Sequence, residues 1–208
     1  MARTSEGVVH VLPFARDDAA LVAALKARQS GTPAILVDRY GGYVERLLAR
    51  VVGVDSELPD LIQDVFVQAI SNLKDLRDPA AVKPWLGSLA INTAHSWIRR
   101  RRLRRRWVRF ESPHDVPEMK AAVAGPEVNQ MLKRTYQILD TLPPDERIAF
   151  ALRFIEGAEL TTTAELCNVS LATIKRRLAR AEKNFLEAAR NDPLLKERVE
   201  ASPRWRDK

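Results

Sequence analysis

Cysteine is nearly absent from this chain of 208 residues: Cys167 stands alone. An internal disulfide framework and a cysteine-rich metal site are both excluded by that count. Histidine is almost as scarce, with His10, His95 and His114 scattered at no ligand spacing, so no metal is expected. Aromatic residues make up only 6% of the chain, while Ala, Leu, Val and Arg are abundant, a balance that favours helix over sheet. No apolar run approaches the roughly 20 residues of a membrane-spanning helix. The uncharged patch from Gly7 to Ala15 is interrupted by His10 and Pro13, which makes it a poor secretory signal. A cytoplasmic protein without membrane insertion is expected. A glycine-rich phosphate loop and a nucleophile paired with a base are missing as well, so neither an enzyme nor a cofactor is expected.

What the chain does have is charge concentrated in one place. The formal net charge is +7, and Arg99–Arg106 alone holds seven arginines in eight positions, interrupted only by Leu103. The remainder of the chain is therefore neutral. Such focusing points to a polyanionic partner, whereas charge for solubility would be spread. Seven arginines could each displace phosphate counterions and give steeply salt-dependent binding.

Apolar spacing predicts helices along most of the chain. A first helix covers about Asp17–Gln29, and Thr32-Pro33 supplies a cap and an initial proline for a second that runs to about Val52. Its Gly41-Gly42 pair should weaken or bend it. Leu58, Leu61, Ile62, Val65, Phe66, Ala69, Ile70 and Leu73 follow three-four spacing, with Asp60, Gln63, Asp64 and Gln68 off the stripe. After the loop LKDLRDPAAVKP, the residues Val82, Trp85, Leu86, Leu89, Ala90, Ala94, Trp97 and Ile98 repeat the pattern. That helix leads straight into the arginines, while Ser88, Asn92, His95, Ser96 and Arg99 occupy its polar face. Repulsion between arginines one turn apart costs a few tenths of a kcal/mol per pair, so the last turns should fray unless an anion is near.

Periodicity vanishes from Trp107 to Glu127, a proline-containing stretch read as a flexible linker. Fully extended it would reach roughly 70 Å, more than the ~34 Å of one DNA turn. The chain thus divides into an extension (1–16), a first helical module (17–106), the linker (107–127), a second module (128–191) and a tail (192–208). In the second module a short helix at Thr161–Cys167, a turn at Asn168-Val169 and a long helix capped by Ser170 form a candidate helix-turn-helix. Asn168 tolerates the left-handed backbone such a turn requires. Ile174, Leu178, Ala181 and Phe185 should be buried, leaving Thr173, Lys175, Arg176, Arg177 and Arg180 to face a major groove. The competing reading is a helical bundle with a solvated basic face.

The segments DLIQDVFVQAISNL and PWLGSLAINTAHSWIRRRR resemble region 2 of bacterial RNA polymerase sigma factors. LDTLPPDERIAFALRFIEGAELTTTAELCNVSLATIKRRLARAEKNF resembles their region 4. With two modules and a linker, the chain is similar to the extracytoplasmic-function (ECF) group of the sigma-70 family. The resemblance implies an all-α fold of two small helical domains. It also implies that Asp60, Leu61, Gln63, Asp64 and Phe66 dock on the clamp helices of the polymerase β′ subunit. The minus-ten element would be opened by Leu76, Arg77, Asp78, Lys83 and Asn92, with Arg99, Arg100 and Arg102 holding phosphate. Ser170, Thr173, Lys175, Arg176, Arg177 and Arg180 would read the minus-thirty-five element, and the same module's apolar surface would meet the β flap. The family also admits an anti-sigma protein as a partner. The sequence departs from the family in several places: LRDPAAV stands where Phe-Arg-Gly is frequent, and Gly87-Ser88 replaces an aromatic-Arg pair. A stand-alone helix-turn-helix regulator and an RNA-binding factor remain the alternative readings at this level.

Overall fold

The computed structural model describes residues 17–53, 55–108 and 125–202, in which there is helix but no strand. The extension at 1–16 and most of the linker lie outside the described residues.

The first module is built from α1 (Asp18–Lys26), α2 (Thr32–Val52), α3 (Leu58–Ser71) and α4 (Val82–Val108). Asp17 starts α1 by accepting from the Ala19 amide at 2.9 Å, one of the donors a helix start leaves open. The cap of α2 differs from expectation. Gly31, at φ 81°, takes the cap position, and Thr32 is buried with its hydroxyl donating to the Gln29 carbonyl at 2.5 Å. α2 remains helical through Gly41-Gly42 and ends at Gly53, φ 86°. Between α3 and α4, two short 3-10 turns, Leu73–Asp75 and Pro79–Ala81, carry the loop.

The stripe on α3 largely packs as its spacing demands: Leu61, Val65, Phe66, Ala69 and Leu73 are buried. Ile70 departs from it, at 41% exposed. On α4, Leu86, Ala90, Ala94, Trp97 and Ile98 are buried, and Trp85 packs half-buried against the same core.

The second module comprises α5 (Pro126–Leu139), α6 (Pro144–Phe150), α7 (Leu160–Leu166), α8 (Leu171–Arg190) and α9 (Lys196–Ala201). A wider π-turn, Ala151–Ile155, continues α6. One apolar cluster joins α5, α6 and α8 through Leu139, Phe150, Phe185 and Ala189, and another packs Ala164 against Ile174 and Leu178. The tail after Asn191, given no role from sequence, contributes Leu195, the cap residue of α9, and Val199 within that helix to this core.

The two modules also meet. Ile148, Ala151, Leu152 and Leu166 of the second belong to the same apolar cluster as Leu47, Val51, Leu86 and Ile91 of the first. Sequence periodicity within each module could not express that contact.

Candidate nucleic-acid interface

Three surfaces are relevant, beginning with the outer face of α3. Pro59, Asp60, Gln63, Asp64, Val67 and Ile70 are all exposed and recur at helical spacing. Leu61 and Phe66, expected to share in partner docking, instead have their side chains in the core at 2% and 5% exposure. They hold the helix in place. Gln68 turns inward and donates to the Thr93 hydroxyl at 3.1 Å.

The second surface is the loop before α4 and the polar face of that helix. Leu76 is 3% exposed, so its side chain supports the loop from within and its carbonyl accepts from Lys26 Nζ at 3.2 Å. Arg77 and Asp78 are exposed, and Asp78 fixes the turn by accepting from the Ala80 amide at 2.9 Å. Lys83 is exposed with its ammonium 5.2 Å from the centre of the Tyr43 ring, a cation–π geometry. Burial raises the Tyr43 pKa above its ordinary value. Along α4, Asn92, Ser96, Arg99 and Arg100 are exposed, while Ser88 and His95 are half-buried.

The arginine run does not fray in this structure. Helix continues to Val108, and the anions it needs are supplied by the chain itself. Arg101 pairs with Asp55 and lies 4.7 Å over the Trp97 ring. Arg104 pairs with Glu57 at 3.3 Å and Arg105 with Asp140 at 2.7 Å, while Arg102 donates to the Leu142 carbonyl at 3.3 Å. Among the described residues, Arg99 and Arg100 have no such partner. The side chain of Arg106 lies outside them. Asp55, Glu57 and Asp140 were invisible as counter-ions in the sequence because they are 46, 47 and 35 positions away, respectively, a separation no local pattern records.

The third surface is the helix-turn-helix. Asn168 adopts φ 50° at the turn, and Ser170 caps α8 by accepting from the Thr173 amide at 3.2 Å. Ile174, Leu178, Ala181 and Phe185 are buried. Lys175, Arg176 and Arg180 are exposed on the opposite face, and Thr173 is half-buried. Arg177 is less available, paired with Asp145 at 3.2 Å. Cys167 sits beside this turn, and burial pushes its thiol up to about 11.

Among the described residues there is no cluster of side chains suited to a metal ion, and no helix is long and apolar enough to cross a membrane. The geometry offers a polar-acidic helix face for a protein, and two basic faces on separate helices for a polyanion.

Residues 36–104 match the family model of sigma-70 region 2, and residues 132–185 match that of sigma-70 region 4. The ECF RNA polymerase sigma-E factor of Haemophilus influenzae is 31% identical over 173 residues, covering 79% of this chain and 90% of that protein. The RNA polymerase sigma-H factor of Pseudomonas aeruginosa is 29% identical over 171 residues, covering 78% and 88%. Among solved structures, CnrH in complex with the cytosolic domain of CnrY shares the fold at TM-score 0.55 and 22% identity, over 84% of this chain and 98% of that one. The sigma factor RpoE of Bartonella quintana, in complex with the anti-sigma factor NepR, matches at TM-score 0.55 and 20% identity, over 75% and 95%.

Proposed function

Because the chain belongs to the sigma-70 family of RNA polymerase sigma factors, in its extracytoplasmic-function group, we propose specific roles for the three surfaces just described. The protein is a transcription initiation factor that binds core RNA polymerase, directs it to promoters and assists their opening.

Asp60, Gln63 and Asp64 form the polar contact with the β′ clamp helices, with Val67 and Ile70 adding apolar area beside them. Leu61 and Phe66 act through the core by fixing the pitch of α3. Arg77, Asp78, Lys83 and Asn92 engage the minus-ten strand, amides and charges suiting an unstacked strand better than a closed groove. Capturing an extruded base offsets an unstacking cost of a few kcal/mol. Arg99 and Arg100 hold adjacent duplex phosphate, and Arg102 joins them once released from Leu142. Lys175, Arg176 and Arg180 enter the major groove at the minus-thirty-five element, with Ser170 and Thr173 setting the start of that helix and Arg177 flanking it. The apolar surface of the second module meets the β flap. The chemistry of RNA synthesis belongs to core polymerase, so this chain needs no catalytic set, and it works where that polymerase is, in the cytoplasm. An anti-sigma protein is a further partner; the likeness to RpoE bound to NepR supports that reading.

The observation that carries the assignment is the continuity of exposed Asn92, Ser96, Arg99 and Arg100 along the 27-residue helix α4. Transcription in vitro with core polymerase on a promoter library tests it. New start sites that depend on the added chain, and that are lost on Asn92→Ala with Arg99→Ala, are expected. Unchanged start-site usage by that variant would overturn the strand assignment.

A further inference from the structure

Leu103 is the single interruption in the basic run Arg99–Arg106, and it is 47% exposed. It joins none of the apolar clusters of the described residues, so the fold itself gives this leucine no work. Its place on α4 is more informative. Asn92, Ser96, Arg99 and Leu103 follow one another at spacings of four, three and four, which puts them on one face of the helix. All four are exposed, as is Arg100. At 3.6 residues per turn, Arg99 and Arg100 fall on either side of Leu103, one turn before it.

The other arginines of the run leave this face open. Arg101, Arg104 and Arg105 are paired with Asp55, Glu57 and Asp140, and Arg102 donates to the Leu142 carbonyl. Along the open face the chemistry therefore changes. An amide and a hydroxyl come first, and an aliphatic ridge flanked by two cations follows.

That second cross-section fits the groove of a duplex. Cations on both flanks reach the phosphates of the groove walls, while the ridge between them meets base edges on the floor. The major groove, about 12 Å wide, admits an α-helix, and there thymine presents an apolar group, its C5 methyl. A guanine or adenine edge would call for Arg, Lys, Asn or Gln at the centre of the face. The distance agrees with a duplex contact beyond the opened strand. At about 1.5 Å per residue, Leu103 stands about 16 Å from Asn92 along the helix, or about five steps of roughly 3.4 Å along DNA.

We propose that Leu103 reads a thymine methyl in the duplex just upstream of the minus-ten element, as a further specificity-determining residue. This rests on the reading above that α4 lies along the minus-ten strand with Arg99 and Arg100 on the adjacent duplex. Those two arginines hold the helix down whatever the sequence beneath it, and Leu103 distinguishes one base pair.

Holoenzyme assembled from core polymerase and the full chain tests this on promoters randomised over the base pairs next to the minus-ten element. Wild-type protein should enrich thymine at one of those positions. Replacing that thymine by deoxyuridine, which removes only the methyl, should weaken wild-type binding about fourfold, the size of one buried methyl group. Leu103→Ala removes an exposed side chain and keeps a strong helix former, so its melting temperature should match wild type. It should bind the thymine promoter about fourfold less tightly and show no further loss on deoxyuridine. No thymine enrichment by wild type, or an equal deoxyuridine penalty in Leu103→Ala, would overturn the proposal. The underlying reading is checked separately by Arg99→Ala with Arg100→Ala, which should weaken binding to all of these promoters alike. Unchanged binding by that double variant would sink the duplex assignment itself, whereas a uniform loss beside an indifferent Leu103→Ala would sink the methyl contact alone.

Discussion

The indole of Trp97 donates to a Glu57 carboxylate oxygen at 2.8 Å, tying the buried side of α4 to the loop that enters α3. The other oxygen of Glu57 meets Arg104, so one carboxylate serves both the interior and the arginine run. Trp97 is fully buried, and a hydrogen bond to a charged acceptor contributes about 1.5–3 kcal/mol. Trp97→Phe should lower unfolding free energy by about 2 kcal/mol, visible as a drop of several degrees in Tm. Chemical denaturation of both single variants and the double variant with Glu57→Gln checks this. Additive losses would mean that the pair is not coupled.

Asp60 and Gln63 are exposed on α3, away from its packed stripe. Replacing both by alanine should leave the circular dichroism spectrum and Tm unchanged while weakening core polymerase binding by about tenfold, equivalent to about 1.4 kcal/mol. Binding measured by surface plasmon resonance or co-purification decides the matter. Wild-type affinity would remove these residues from the interface.

Arg176 is exposed, its Nη2 lying 3.3 Å from the Thr173 hydroxyl at the start of α8. Arg176→Ala should reduce transcription from promoters with an intact upstream element and spare templates lacking it. If the guanidinium reads a guanine edge, discrimination at one base position falls by about 1–3 kcal/mol. If it grips phosphate, the salt dependence shallows by about one charge with base preference intact. Equal loss on both template classes would argue against upstream-element contact.

Cys167 is held as a thiol by burial, its pKa raised from 9.0 to about 11. The thiolate is the reactive form, so at pH 8 alkylation of the folded protein should run about a hundredfold slower than in denaturant. The sign for stability follows. The neutral thiol is favoured on folding, so this contribution is complete below pH 9 and is lost as pH rises towards 11. Iodoacetamide kinetics across that range provide the measurement. Equal rates for folded and unfolded chains would contradict the burial.

Much of the architecture was legible because single helices write their packing into spacing. The stripes of α3 and α4, the Asn168 turn and the Ser170 cap all follow from local rules, and each is present in the structure. Ile70 shows where such a rule overreaches, since a stripe of adjacent three-four positions spans more of the helix than the core covers. Leu76 reads as a loop residue near the strand site, yet an apolar side chain beside open core is drawn inside. Arg147 was passed over altogether. Its neighbours in PPDERIAF suggest a helix start, and nothing local announces that its guanidinium will seek the carbonyls of residues 95 and 96 positions earlier. Charges paired at such range are settled by tertiary packing, which periodicity does not encode.

Leu152 and Leu166 lie in the same interior as Leu47 and Leu86. Heat should therefore melt the free chain in a single cooperative transition, with calorimetric and van't Hoff enthalpies in agreement. A chain whose two family-matched regions look like independent beads in sequence would then have one shared stability, and a cavity cut in either half would lower the melting point of both.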